Sequence, residues 1–175
     1  ADGIGDTIRV SLTEAPENEV PVAQMLVDYF TSREGEFAVE DASAYSPTEY
    51  RRRTSVPIVA HSEITDEYIV VDAVSSNPTA EWRAAILNSE GLQPVVIRRH
   101  YEGSTEDVAL HAAADMGQLL LDGLADGVWI DAPHISEEEL HNIELIILQA
   151  SRARFSQTEY IACPSCGRTL YNIEQ

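Results

Sequence analysis

Cysteine, basic residues and long apolar runs are all scarce in this sequence. Only two cysteines occur in 175 residues, which argues against a disulfide framework and indicates a reducing compartment such as the cytoplasm. Eleven Lys and Arg stand against 30 Asp and Glu, so the formal net charge is −19. Because this charge repels nucleic acid and anionic lipid, we expect neither as a partner. No stretch approaches about 18 consecutive apolar residues, so no membrane helix is predicted.

Several catalytic signatures are missing as well. The sequence contains no nucleophile elbow, P-loop, complete G-x-G-x-x-G or H-E-x-x-H, so hydrolase, NTPase, dinucleotide-binding and zinc-protease activities have no motif. The histidines are scattered along the chain, at His61, His100, His111, His134 and His141. His111 lies in an apolar helical pattern and is predicted to sit at the edge of the core, and Trp82 and Trp129 are predicted to be packing residues.

The pattern that is present is a regular alternation of strands and helices. β-branched runs predict strands, and capping residues ahead of helical apolar spacing predict helices. The predicted strands cover residues 6–12, 55–61, 67–73, 93–100, 127–132 and 159–162, and the predicted helices cover about residues 16–30, 77–88, 104–121 and 136–152. This alternation indicates an α/β fold with a mainly parallel sheet, made of partial or degenerate TIM-barrel-like βα units. Residues 34–53 have no period and are predicted to form a linker or loop.

An internal repeat relates the start of the chain to a later segment. Residues 2–10 align without a gap with residues 122–130. Both copies are followed by a proline-containing turn and an acidic helix start. The repeat therefore includes the elements that follow as well as the aligned residues. A turn, strand and helix cassette that occurs twice suggests two related βα assemblies.

Arg9 and Ser11 are the first candidate binding residues. Two positions apart on a strand, their side chains point the same way and can together hold a phosphate. The alternative is that they face solvent or pair with neighbouring aspartates. In the second copy of the repeat, Trp129 and Asp131 replace them. Because these two side chains cannot hold a phosphate together, we expect the second assembly to be a scaffold.

Cys163 and Cys166 are the second candidate site. They follow a short predicted strand, which places two thiols on one tight turn. Such a pair can share a soft metal or an iron–sulfur cluster, or can cycle between dithiol and disulfide. A zinc site needs two further ligands, and no second paired motif supplies them. We therefore expect the remaining ligands to lie beyond Gln175, which makes the chain a piece of a larger protein.

Three segments resemble a known family. GIGDTIRVSLTEAP at residues 3–16 and EYIACPSCGRTLYNIE at residues 159–174 are similar to two segments of the 4-hydroxy-3-methylbut-2-enyl diphosphate synthase (GcpE) family. DVALHAAADMGQLLLDGLADGVWIDAP at residues 107–133 resembles the insert of its large, plant-like form. Together these segments cover about a third of the chain.

The resemblance implies a division of the chain. Residues 1–33 would be the last βα unit of the catalytic barrel, residues 34–157 the insert domain, and residues 158–175 the start of a C-terminal domain that holds a [4Fe-4S] cluster. Cys163 and Cys166 match the first two cluster cysteines of the family. The third cysteine and the glutamate that complete the cluster would lie outside the chain.

The resemblance also implies an activity. The family is an iron–sulfur oxidoreductase of the non-mevalonate isoprenoid pathway, and it reductively opens 2-C-methyl-D-erythritol 2,4-cyclodiphosphate. Arg9 and Ser11 match the strand that grips the substrate diphosphate, and ferredoxin or flavodoxin supplies the electrons. The complete enzyme, of which this chain would be a piece, is expected to be a homodimer. It is expected in the cytoplasm if the source is a bacterium and in the plastid if the source is a plant. This fragment alone is expected to be inactive, and a self-contained CxxC zinc-binding or thiol-redox module is the alternative.

Overall fold

The computed structural model describes residues 6–11, 16–32, 56–88 and 93–158. A short 3-10 helix at Pro16–Asn18 leads into helix α1 at Glu19–Thr31. The strands that follow are β1 at Ile58–Val59, β2 at Ile69–Asp72, β3 at Val95–His100 and β4 at Gly127–Asp131. The remaining helices are α2 at Ala60–Glu63, α3 at Pro78–Asn88, α4 at Thr105–Leu121 and α5 at Glu137–Ala150.

The four strands form one parallel sheet with the order β1, β4, β3, β2. β2, β3 and β4 are neighbours in the order in which they follow along the chain, and α3 and α4 make the two crossovers between them. Parallel neighbours require such crossovers, since a tight turn can join only antiparallel strands. The predicted α/β class with a mainly parallel sheet is therefore confirmed.

The two longest helices begin at the capping residues that the sequence indicates. The Ser104 hydroxyl accepts a hydrogen bond from the Asp107 N–H, and the Asp107 carboxylate accepts one from the Ser104 N–H. Ser136 and Glu139 form the same reciprocal pair at the start of α5. Each box satisfies two amide groups that a helix start leaves without an internal partner. The predicted starts of α4 and α5 are confirmed.

The main core lies between the sheet and the layer of α3, α4 and α5. Successive strand residues point to opposite faces, so Val95 and Ile97 of β3 enter this core whereas Val96 between them joins a smaller cluster on the other face. Trp82 of α3 is fully buried in the main core, and its indole N–H donates to the Val71 carbonyl at 2.9 Å. The prediction that Trp82 is a packing residue is confirmed.

Two strand predictions need correction. Residues 6–11 are in no strand, although residues 6–12 are rich in β-branched side chains. A strand exists only where a neighbour pairs with its backbone, and no described strand pairs with this segment. The strand predicted at residues 55–61 is limited to Ile58–Val59, because the chain turns into α2 at Ala60. The predicted linker at 34–53 and the predicted strand at 159–162 lie outside the described residues.

Candidate functional site

The structure places only one of the two predicted sites within the described residues. Arg9 and Ser11 are both exposed, and Val10 between them is partly buried. Cys163 and Cys166 lie outside the described residues. Arg9 and Ser11 are thus accessible to a ligand, and the predicted strand geometry that would align their side chains is absent from this segment.

The carboxyl edge of the parallel sheet gathers a second set of polar residues. Ligands of open parallel sheets bind at this edge, so it is the place to look for a site. Asp72, Arg98 and Trp129 lie side by side in register on β2, β3 and β4. His100 and Asp131 form the next row, two residues further along β3 and β4. All five residues share the face opposite the helix layer.

Arg98 is committed to neighbours on both sides. Its Nε and Nη2 donate to the Asp72 carboxylate oxygens at 2.5 and 3.0 Å, a bidentate ion pair that raises the pKa of Arg98. Its guanidinium carbon lies 4.8 Å from the centroid of the Trp129 ring. In the next row the His100 Nδ1 lies 3.2 Å from an Asp131 oxygen. The guanidinium of Arg98 is therefore paired with a carboxylate, which lowers its attraction for a phosphate.

A buried carboxylate lies behind this edge. Glu144 of α5 is fully buried, and its Oε1 accepts a hydrogen bond from the Ile130 N–H at 2.7 Å and lies 2.8 Å from the His61 Nδ1. Its Oε2 is buried and has no hydrogen-bond partner among the described residues. Burial raises the pKa of Glu144, and the hydrogen bond to Glu144 raises the pKa of His61. The separation of 2.8 Å allows the pair to share a proton.

Trp129 and Asp131 complete the sheet edge on β4. Trp129 packs against the smaller apolar cluster, which confirms its prediction as a packing residue. Trp129 and Asp131 occupy the positions that the repeat equates with Arg9 and Ser11, at the end of β4. Within the described residues, no group of three or more His, Cys, Asp or Glu side chains is placed to hold a metal ion.

A second buried carboxylate joins α1 to the α/β unit. Asp115 of α4 is fully buried, and its Oδ2 accepts hydrogen bonds from the phenols of Tyr29 at 2.7 Å and Tyr101 at 3.0 Å. The Arg99 Nε lies 3.8 Å from the same oxygen. The ring of Tyr29 stacks on His111, with 3.8 Å between the centroids and 10° between the planes. His111 is partly buried on α4, as expected for the edge of the core.

Sequence reasoning missed both buried carboxylates. Each one occupies a position where the helical spacing calls for an apolar residue: Asp115 follows Ala112 and precedes Leu119, and Glu144 falls between Leu140 and Ile147. A charged residue on the apolar stripe of a helix is the signal that would have found them, because such a residue is seldom buried without a partner.

Within the described residues, the structure contains no helix that is long and apolar enough to cross a membrane.

Curated relatives match the chain along its whole length. A protein of Porphyromonas gingivalis is 34% identical over 245 aligned positions, which cover all of this chain and 42% of that protein. A protein of Phocaeicola vulgatus is 32% identical, and the alignment covers 99% of this chain and 45% of that protein. Both are named 4-hydroxy-3-methylbut-2-en-1-yl diphosphate synthase (flavodoxin). The chain belongs to this synthase family.

The synthase relatives are longer than this chain. The chain spans less than half the length of the relatives above, and the 245 aligned positions exceed its 175 residues. A chloroplastic synthase (ferredoxin) of Arabidopsis thaliana is 43% identical over 70 residues, which make up 40% of the chain. No family model matches the chain, and no solved structure matches it.

Proposed function

We propose that the chain is part of an enzyme that reductively opens 2-C-methyl-D-erythritol 2,4-cyclodiphosphate in non-mevalonate isoprenoid biosynthesis. The observation that carries the proposal is the match to synthases along the whole chain, at 34% identity in the Porphyromonas protein. The names of the relatives favour flavodoxin or ferredoxin as the electron donor. The proposed location is the cytoplasm of a bacterium or the plastid of a plant, and the parent is proposed to be a homodimer.

The proposal assigns separate tasks to separate segments. Residues 1–33 belong to the catalytic barrel, residues 34–157 form the insert, and residues 158–175 begin the iron–sulfur domain. Arg9 and Ser11 bind the substrate diphosphate by charge-assisted hydrogen bonds. Their exposure in the structure supports this role, because the ligand must reach them.

The α/β unit of residues 56–158 is proposed to act as a scaffold. The contacts of Arg98 at its carboxyl edge support this role. The guanidinium of Arg98 donates to both carboxylate oxygens of Asp72 and lies over the ring of Trp129. A dianionic ligand would have to displace the Asp72 carboxylate to reach that cation. The paired His61 and Glu144 lie behind the edge and serve the packing of α2 against α5 and β4.

Cys163 and Cys166 are proposed to hold part of a [4Fe-4S] cluster. Thiolates are the ligands that such clusters prefer, and the cluster would supply the two electrons of the ring opening. The residues that the structure describes offer no competing metal site.

The test is turnover of the cyclodiphosphate by the full-length protein with reduced flavodoxin or ferredoxin. We expect formation of the linear allylic diphosphate, and we expect Cys163→Ser and Cys166→Ser each to lower bound iron and turnover together. Ser165 lies between the two cysteines, so Ser165→Ala is the matched control. This variant should keep both its bound iron and its turnover. A full-length protein that holds iron but leaves the cyclodiphosphate unchanged would refute the proposal.

A further inference from the structure

The buried Asp115 receives a hydrogen bond from outside its own α/β unit. Two neighbours of the carboxylate belong to the same sheet unit as α4. Arg99 lies on β3, and Tyr101 directly follows that strand. Tyr29 belongs to α1 and precedes Asp115 by 86 positions along the chain. Its phenol makes the shorter hydrogen bond to the carboxylate, 2.7 Å against 3.0 Å for Tyr101. A hydrogen bond to a buried carboxylate is stronger than one between neutral groups.

The Tyr29 side chain has two separate contacts with α4. Its hydroxyl donates to Asp115, and its ring stacks on His111, one helical turn before Asp115. Positions i and i+4 of a helix lie on the same face, so one tyrosine can engage both. This double contact fixes the rotation of α1 as well as its distance from α4.

α1 lies near the surface of the described part of the chain. None of its residues is fully buried, and Val20 and Val27 are 69% and 42% exposed. Helices of this length depend on packing of an apolar face for their stability. The hydrogen bond and the ring stacking of Tyr29 add two specific contacts to this packing.

The position of α1 bears on the proposed diphosphate residues. Only residues 12–15 separate Ser11 from Pro16, where the 3-10 helix before α1 begins. Four residues can span only a limited distance, so the position of the helix limits where the segment before it can lie. We infer that Tyr29, through Asp115 and His111, is a positioning residue by which the insert holds the diphosphate-binding segment of residues 6–11 in place. This inference rests on the proposed function of Arg9 and Ser11.

The test uses Tyr29→Phe in the full-length synthase, because phenylalanine keeps the stacked ring and removes only the hydroxyl. We expect the KM for the cyclodiphosphate to rise about fivefold or more, the lower end of typical coupling between two sites. We expect kcat to change little, since a loss of binding that is equal in ground and transition states appears in KM.

Tyr101→Phe is the matched control. It removes the other phenol from the same oxygen of Asp115, and Tyr101 lies in the sheet unit rather than on α1. We expect it to lower the melting temperature while changing KM by no more than about twofold, below the typical range of coupling between two sites, because the two contacts of Tyr29 with α4 remain. A merely structural role for Tyr29 predicts the same result for both variants.

Hydrogen exchange provides a second measurement that does not depend on activity. Amides of Glu19–Thr31 should exchange faster in Tyr29→Phe than in the unsubstituted protein, and Tyr101→Phe should leave them unchanged. Unchanged exchange of α1 together with an unchanged KM in Tyr29→Phe would overturn the inference alone. An unsubstituted enzyme with no activity on the cyclodiphosphate would overturn the proposed function and this inference with it.

Discussion

The guanidinium of Arg98 lies over the ring of Trp129, 4.8 Å from its centroid, on neighbouring strands in register. Trp129 stands where the internal repeat has Arg9 in its first copy. The second copy therefore retains a cation near this position, but an adjacent strand supplies it and Asp72 pairs with it. A cation in a bidentate pair is poorly placed to bind a diphosphate, which supports the proposed scaffold role of the sheet unit.

The pair of His61 and Glu144 should make stability depend on pH. The hydrogen bond to Glu144 raises the folded-state pKa of His61 above 6.5. This contribution to stability is fully present below the unfolded pKa and is lost as the pH rises through the folded pKa. Burial raises the pKa of Glu144 above 4.5, and this shift has the same sign, since the folded state again binds more protons. We expect the free energy of unfolding to fall as the pH rises from about 6 to about 8.

Chemical denaturation at a series of pH values measures this effect. His61→Gln should remove most of the decrease, because glutamine does not titrate. His134→Gln is the control, since His134 is an exposed imidazole that bonds the Gly103 carbonyl. Equal pH profiles for His61→Gln and the unsubstituted chain would contradict the assignment.

Two glycines should respond to alanine in opposite directions. At Gly127 an added Cβ would lie 2.7 Å from the Ile58 Cγ1 and 3.0 Å from the Val96 Cγ2, so β1 and β4 would have to separate. We expect Gly127→Ala to destabilise the fold by about 1–3 kcal/mol. At Gly117, inside α4, an added Cβ meets no described atom within 4 Å. There we expect alanine to stabilise the helix by about 0.5–1 kcal/mol.

Thermal denaturation of the two glycine variants provides the measurement. A melting temperature that is lower for Gly127→Ala and higher for Gly117→Ala is the expected pair of results. A stable Gly127→Ala variant would mean that the contact between β1 and β4 is looser than the structure has it.

The cap of α5 should contribute measurably to stability. The Ser136 hydroxyl accepts from the Glu139 N–H, so Ser136→Ala leaves that amide without its side-chain partner. We expect a loss of about 1 kcal/mol, read from urea denaturation. Glu138→Ala is the control, because it removes a charge from the same first turn and leaves the cap in place. A similar loss in both variants would attribute the effect to the helix dipole instead of the cap.

The 175-residue chain should hold iron poorly. It contains two cysteines, whereas a [4Fe-4S] cluster takes four protein ligands in most proteins. We expect the purified chain to be nearly colourless, with far fewer than about four iron atoms per chain after reconstitution. Iron analysis with the absorption spectrum measures this, and the full-length protein is the control. A stable brown chain with a complete cluster would contradict the ligand count.

Local signals predicted most of the sheet unit. Each of these signals is complete within a few residues of sequence. The capping pairs at Ser104 and Ser136 identify the starts of α4 and α5, and the β-branched run before His100 identifies β3. The segment of residues 6–11 shows the limit, since its composition favours a strand but pairing depends on a partner elsewhere.

The polar contacts inside the fold were beyond local reasoning. Tyr29 and Asp115 are 86 positions apart, and His61 and Glu144 are 83 apart, so only the packing of helices brings them together. The resemblance to the family rests instead on the sequences of residues 3–16, 107–133 and 159–174.

A comparison of Arg9→Met with Arg98→Met in the full-length protein tests the central claim most directly. The quantity to measure is kcat/KM for the cyclodiphosphate. Our account predicts a loss of about tenfold or more for Arg9→Met, the cost of a charge-assisted hydrogen bond, and a change within about twofold for Arg98→Met. A large loss for Arg98→Met with a normal Arg9→Met enzyme would contradict the account, because it would place the diphosphate at the sheet edge.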